Sequence, residues 1–344
     1  MAREDDIMSN NDITVIVAIY NVEKYVKKCL DSLLNQTYKN FEVYAVIDGS
    51  PDNSVEIVKE YAAMDSRIKC IEKENGGYGS VLEYSIKNMK SKYFLICDPD
   101  DWLAPNALEV LHENAEKYDA DIVVGDKYFV YNDNGEQKYC SSIRDYNIMS
   151  GVVYEGQSAS IISSLHVSPH SKLYKTEVAK NIIFPKKVSY TDYLLYIITC
   201  SRATRTLYIK GALSYYLIDR PGNSVTDTSL KSAKSIMTVF SSACSQVNSN
   251  KYIFYELYCG FKWNVINTIS RLNKNDYKIV KPEIFNLVDL LLPYKKEIND
   301  CIKHQKFIKH IYNKTIFNML INKKTRQMAI NFLIKRERKK TNEI

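Results

Sequence analysis

Tyr93-Phe94-Leu95-Ile96-Cys97-Asp98-Pro99-Asp100-Asp101-Trp102 decides how the rest of the chain is read. Tyr93 to Cys97 is a short apolar run, which predicts a strand buried on both faces. It stops at Asp98, and Asp100 and Asp101 follow at once. Carboxylates do not enter a packed core without cations or hydrogen-bond donors. At the C-terminal end of a strand they suit a hard divalent cation, which takes oxygen ligands and is commonly shared with phosphates. They equally suit a solvated turn that caps a helix starting near Pro105. The surrounding chain separates the two readings.

Outward from this stretch, strands and helices alternate. Ile13 to Tyr20 is β-branched and continuous, a buried strand. Val22 to Gln36 repeats apolar residues at helical spacing. Phe41 to Ile47 predicts the next strand. Asp48-Gly49-Ser50-Pro51-Asp52-Asn53-Ser54 then predicts a turn, with Ser54 as N-cap of a helix over Val55 to Met64. Ile68 to Ile71 is a strand, Asn75 to Ser80 a glycine-rich loop and Val81 to Met89 a helix. A helix from about Pro105 to Tyr118 and a strand from Ile122 to Gly125 follow the opening stretch. This alternation predicts an α/β fold, a mostly parallel sheet with helices on both faces. Such sheets bind ligands at the carboxyl ends of their strands. Tyr20-Asn21, Asp48-Gly49-Ser50 and Asp98 to Asp101 follow the first, second and fourth strands. Three polar clusters at equivalent places favour a site over capping turns.

Residues 126–226 predict mixed structure. Lys127 to Tyr131 and Gln137 to Cys140 flank Asn132-Asp133-Asn134-Gly135, a hairpin signal. Asp192 opens a helix to about Cys200, and Thr206 to Lys210 and Leu213 to Ile218 read as strands. Beyond residue 228 the spacing is helical, over 230–247, 251–272, 282–292, 295–312 and 326–338.

Composition excludes other classes. Met1 to Asp12 is polar and acidic, so no secretory signal is expected. No apolar run approaches the ~18 residues of a membrane span. The 8 cysteines are widely spaced without a C-x-x-C pair, which predicts a reduced cytoplasmic protein without a zinc site. The net charge of +7 belongs to the end of the chain, where residues 301–344 hold 12 Lys and Arg against 2 Glu.

Assembled in order, the clusters resemble those of the family-2 glycosyltransferases over about residues 13–226. The likeness rests on Ala18-Ile19-Tyr20-Asn21, on Asp48-Gly49-Ser50 with Asp52-Asn53-Ser54, and on Asn75-Gly76-Gly77. It continues through Asp98-x-Asp100-Asp101-Trp102, Tyr190-Thr191-Asp192 and Arg220-x-Gly222-Asn223-Ser224-Val225. It implies a GT-A (Rossmann-like) catalytic domain over 13–226, with a nucleotide-binding half, 13–125, and an acceptor-binding half, 126–226. A polar tail, 1–12, precedes it and a helical region, 227–344, follows. The implied activity is inverting transfer from a nucleotide-sugar donor, usually a UDP-sugar, to a glycan, lipid-linked or glycoprotein acceptor. The implied cofactor is Mn²⁺ or Mg²⁺.

Within that resemblance Asp98-x-Asp100 is the DxD motif, with Asp98 near the ribose and Asp100 helping to hold the metal. Asp101 ligates, binds sugar or caps the next helix. Ala18, Tyr20 and Asn21 fall to the donor; Tyr20 stacks on the base or simply ends a strand in the core. Asp48 contacts base or ribose, although Ile47 stands where the family usually has Asp or Asn. Asn75-Gly76-Gly77 approaches the donor closely or is a plain tight turn. Leu82 and Glu83 stand where the family often carries Arg and Asn, so no diphosphate-binding Arg carries over there. Arg220 lies in a loop able to close over the diphosphate, or makes a surface salt bridge. Asp192 is the implied general base for the acceptor hydroxyl. As a helix N-terminal acid it would instead gain ~0.3–1 kcal/mol from the dipole. Thr191 replaces the family's usual Glu. Trp102 and His170 fall to the acceptor side, His170 alternatively to a hydrogen-bonded loop.

Met328-Ala329-Ile330 and Phe332-Leu333-Ile334 precede Lys335-Arg336-Glu337-Arg338-Lys339-Lys340. This predicts an amphipathic basic helix over 326–340. It lies on an anionic membrane surface, peripheral on the inner face, or packs on the catalytic domain with a solvated basic end. No nucleic-acid partner is expected, because the glycine and aromatic interleaving of known modules is missing. A dehydrogenase or nucleotidyltransferase lacks its glycine motif here. A non-catalytic relative that binds sugar nucleotide or a protein partner remains the alternative, on the strength of Ile47 and Thr191.

Overall fold

The structure, a computed structural model, describes residues 11–144, 147–218, 220, 227–303 and 307–342. Its strands are β1 (Ile13–Ile19), β2 (Phe41–Asp48), β3 (Ile68–Lys73), β4 (Tyr93–Ile96), β5 (Trp102–Leu103), β6 (Ile122–Tyr131), β7 (Gln137–Cys140), β8 (Val153–Glu155), β9 (Lys172–Lys175) and β10 (Arg205–Ile218). They form one sheet in the order β3-β2-β1-β4-β9-β6-β10-β5, with β7 beside β6 and β8 beside β10. β1 to β4 pair in parallel. Parallel pairing needs crossovers, and α1 (Val26–Leu34), α2 (Ser54–Met64) and α3 (Tyr78–Asn88) supply them. α4 (Ala107–Tyr118), α5 (Thr176–Ala179) and α6 (Thr191–Arg202) follow.

The expected mostly parallel sheet is present as a mixed one, in which β5, β7, β8 and β9 pair antiparallel. β9 runs antiparallel between β4 and β6, so the strand from Ile122 does not adjoin β4. The two strands expected near 206 and 213 are one, β10, carried across a register shift between Tyr208 and Ala212. The hairpin of β6 and β7 forms as its turn signal predicts.

β4 is buried throughout. Phe94 and Ile96 pack on the α3 and α6 side, and Tyr93 and Leu95 on the α1, α2 and α4 side. Each such side chain contributes roughly 1.5–3 kcal/mol by leaving water. The strand is therefore pinned on both faces, and the polar residues after it must emerge at its end.

Helix starts depart from expectation. α1 begins at Val26 rather than Val22, and α3 begins at Tyr78, so Gly79 and Ser80 are helical. Ser54 is not the N-cap of α2. Asn53 holds that position, and the Asp52 carboxylate accepts the Ser54 amide at 3.2 Å.

The helical region contains α7 (Leu230–Gln246), α8 (Lys251–Gly260), α9 (Ile266–Ser270), α10 (Lys274–Asp289), α11 (Lys295–Lys303), α12 (Phe307–Ile321) and α13 (Arg326–Asn342). A short π-helical stretch, Phe261–Val265, joins α8 to α9. α10 starts eight residues before the expected 282 and carries Pro282 inside it. The expected 295–312 helix corresponds to α11 and part of α12; residues 304–306 lie outside the described residues. One buried cluster runs from Ile16 and Val46 through Tyr196 to Ile334, so this region shares a core with the sheet.

Candidate active site

The carboxyl ends of β1, β2 and β4 lie side by side, because β1 is flanked by the other two. After β1, Tyr20 is 51 % exposed. Asn21 turns at φ +54°, and its amide donates to Ser50 Oγ at 2.8 Å. Asp52 accepts from Ser50 Oγ at 2.6 Å and from the Glu23 amide at 2.8 Å. The loops after β1 and β2 are thus laced together, with the Tyr20 ring left at the surface. Ala18 is half-buried on β1, opposite Val46 of β2.

Asp48 ends β2 and is 3 % exposed. Its oxygens accept from the Gly76 amide at 2.9 Å, the Gly77 amide at 2.7 Å and Lys73 Nζ at 2.5 Å. Asn75 Nδ2 donates to its backbone carbonyl at 2.8 Å. A buried carboxylate survives only with such donors. Asp48 thereby shapes the Asn75-Gly76-Gly77 loop. Gly77 sits at φ +83°, where an added Cβ would lie 3.1 Å from the Lys187 backbone.

The acids after β4 divide their partners. Asp98 accepts from the Tyr78 hydroxyl at 2.7 Å. Burial, reinforced by Asp100 and Asp192, pushes its carboxyl up to about 7, against the Tyr78 bond and Arg220. Asp100 is ion-paired with Arg220 Nε. Asp101 is 2 % exposed, accepts from the Leu217 amide of β10 at 2.8 Å and bonds His170 Nε2. It does not cap α4, whose cap residue is Asn106. Burial first, then Asp100 and Asp98, hold the Asp101 carboxyl well above its ordinary range.

His170 is 5 % exposed, with Nδ1 buried and unpartnered. Its ring lies 4.4 Å from that of Tyr216. Burial holds it well below the ordinary imidazole value, aided by Lys127 and Lys172. The ligand atoms of Asp98, Asp101 and His170 lie within 4.8 Å of one another, a spacing able to surround a cation.

Asp192 lies in the first turn of α6. Burial raises its carboxyl, while the first-turn amides and Lys172 oppose the rise. Burial first, then the charges of Asp98, Asp192 and Asp100, hold the Tyr78 hydroxyl well above its ordinary range. Trp102, on β5, stacks on Tyr215 at 5.3 Å and lies 3.1 Å beneath Lys28 Nζ. Of the Arg220 motif, Gly222 to Val225 lie outside the described residues.

Roles for Tyr78, Lys73 and Lys172 were not visible in the sequence. Lys172 is fully buried on β9, donating to the Ser168 carbonyl at 2.5 Å. Only the interrupted Leu173-Tyr174 pair between two lysines hinted at a strand there.

Comparison with known proteins identifies the family. The profile of glycosyl transferase family 2 matches residues 14–183. Glycosyltransferase GlyA of Streptococcus pneumoniae is 34% identical over 228 residues, 62% of this chain and 31% of GlyA; the chain thus spans about a third of that relative. Glycosyltransferase GlyG of the same organism is 30% identical over 245 residues, 68% of this chain and 79% of GlyG. Staphylococcus aureus TarS, residues 1–349 in complex with UDP-GlcNAc, superposes with a TM-score of 0.64 at 21% identity, covering 90% of this chain and 91% of that one. TarS attests the fold, and GlyG attests descent across most of both chains. With the acids gathered at the ends of parallel strands, the chain belongs to glycosyl transferase family 2 and is a glycosyltransferase.

Proposed function

We propose that this glycosyltransferase moves a sugar, with inversion, from a UDP-sugar to a hydroxyl of a glycan, glycolipid or glycoprotein acceptor in the cytoplasm. The observation that carries the reading is the acid cluster after β4: Asp98 on the Tyr78 hydroxyl, Asp100 ion-paired with Arg220, and ligand atoms of Asp101 and His170 within 4.8 Å of one of Asp98. Such crowding of like charge raises a carboxyl unless a cation relieves it. The TarS complex with UDP-GlcNAc favours a UDP-sugar as donor.

Mn²⁺ or Mg²⁺ fits the donor set, since oxygen ligands of Asp98 and Asp101 stand beside an imidazole. When bound, such an ion would offset charge developing on the leaving diphosphate. Asp98, with Asp101 and His170 near it, and Asp100 once released by Arg220, would hold it together with the nucleotide. Tyr20, exposed at the end of β1, would stack on the base, bordered by Ala18 and Asn21. Asp48 would act by fixing the Asn75-Gly76-Gly77 loop at the donor. Arg220 would exchange Asp100 for a phosphate oxygen. Asp192 would take the acceptor proton; burial makes it a stronger base, a rise that the helix amides and Lys172 oppose. His170 would act through Asp101, which it anchors.

A nucleotide-sugar panel with Mn²⁺ tests this. Thermal shift and sugar release would be scored for wild type, Asp100→Asn and Asp192→Asn. Binding of no sugar nucleotide by wild type would remove the reading. Intact transfer by Asp192→Asn beside an inactive Asp100→Asn would remove Asp192 as base.

A further inference from the structure

We propose that the outer face of the α12–α13 pair is a docking surface for an anionic lipid bilayer. The inner side of α13 is already occupied. Ala329, Ile330, Leu333 and Ile334 are buried in the helical core, so the apolar stripe legible in the sequence packs on protein. A second stripe remains. Met328, Phe332, Lys335, Arg336 and Lys339 recur at one side of a helix, and all are exposed. Met328 is 62 % exposed, Phe332 48 % and Ile311, on α12, 48 %. Phe332 meets Tyr312 of α12 with ring centroids 6.4 Å apart, and the Arg336 guanidinium lies 4.6 Å over the same Tyr312 ring. The patch is therefore continuous across both helices.

Its charge has one sign. Residues 307–342 hold ten Lys and Arg and one acid, Glu337. Glu337 is held by Lys340 at 2.8 Å. Arg326 and Arg338 turn inward, to Asp289 at 2.7 Å and to the Ser270 carbonyl at 2.7 Å. The outward cations Lys335, Arg336 and Lys339 share their side of α13 with the large apolar side chains Met328 and Phe332. That combination suits the boundary of an anionic bilayer, where apolar groups enter the acyl edge and cations stay among headgroups. A protein interface wants a broader apolar centre depleted of charge. No helix among the described residues is long and apolar enough to cross a membrane, so the contact would be lateral.

Co-sedimentation of the chain with phosphatidylglycerol–phosphatidylcholine vesicles and with pure phosphatidylcholine vesicles tests the surface. Binding is expected to the anionic vesicles only, weakening with salt. Replacing Lys335, Arg336 and Lys339 together by Gln should weaken it about a hundredfold, at roughly fivefold per cation. Met328→Ser with Phe332→Ser should weaken it about tenfold. Unchanged melting and nucleotide binding would show that both variants are folded. No binding to anionic vesicles, or equal binding by wild type and both variants, overturns the proposal. So does loss of self-association with vesicle binding intact, which would make this face a contact between copies of the chain.

Discussion

Arg220 and Asp100 form an ion pair at the mouth of the site, joining the end of β10 to the acids after β4. Asp100 is the carboxylate expected to hold the metal, so the guanidinium stands where a metal's charge would act. The Arg220 guanidinium also lies 5.4 Å over the Tyr25 ring, which gives it a second anchor. Removing it leaves Asp100 beside Asp98 without a cation. Arg220→Gln should therefore bind Mn²⁺ about tenfold more tightly without nucleotide, from roughly 1.4 kcal/mol of relieved competition. The same change should weaken UDP binding. Electron paramagnetic resonance of free Mn²⁺ reads the first and calorimetry the second. Unchanged Mn²⁺ affinity would show that Arg220 does not compete for Asp100.

Asp192, proposed as the general base, offers a test that separates chemistry from binding. Its charge acts on the Tyr78 hydroxyl, as those of Asp98 and Asp100 do, yet it sits on α6 rather than after β4. A general base contributes about 10²–10⁴-fold to rate. Asp192→Asn should lower kcat by that range while leaving the affinity for UDP nearly unchanged. Asp100→Asn should reduce both. Steady-state kinetics with a soluble acceptor, paired with UDP calorimetry, distinguishes them. A raised KM at constant kcat for Asp192→Asn would mark a binding residue instead.

The parallel half of the fold was legible because burial on both faces leaves an unbroken apolar run. Ile13–Ile19, Phe41–Asp48 and Tyr93–Ile96 each show it. Asp98 and Asp100 were legible for the converse reason, as charges that no core accepts. β9 was not, since a four-residue strand pairs with partners some 50 and 80 residues away and leaves little local pattern. Missing β9 also hid the contact of His170 with Asp101. The role of Asp101 stayed open between ligand, sugar contact and helix cap because local spacing cannot reveal a donor such as the Leu217 amide, 116 residues distant. Lys73 and Tyr78 escaped notice because their partners, Asp48 and Asp98, lie on other strands.

Gly77 tests whether Asp48 works through its loop. The residue holds φ +83°, and a Cβ there would meet the Lys187 backbone at 3.1 Å. Gly77→Ala should cost about 1–3 kcal/mol and lower the melting temperature by a few degrees. Its amide would also shift from Asp48, which it now meets at 2.7 Å. UDP affinity should fall with it. Full UDP affinity in a destabilised Gly77→Ala protein would separate the loop from the donor site.

His166 supplies a pH test away from the acids. Its amide donates to the Ser142 carbonyl at 2.8 Å. Burial, with Lys127, Arg144 and Lys172 nearby, holds its imidazole at about 3, against an ordinary value of 6.5. The folded state thus keeps His166 neutral where the unfolded chain takes up a proton. Stability from this group is complete above pH 6.5 and falls as pH drops toward 3. Between pH 7 and 5.5 the loss should be about 1 kcal/mol, nearly all from protonation of the unfolded chain. His166→Gln removes that proton uptake. Urea denaturation of both proteins at the two pH values should show a smaller pH dependence in the variant by about that amount. Equal pH dependence in the two would place a protonated His166 in the folded protein.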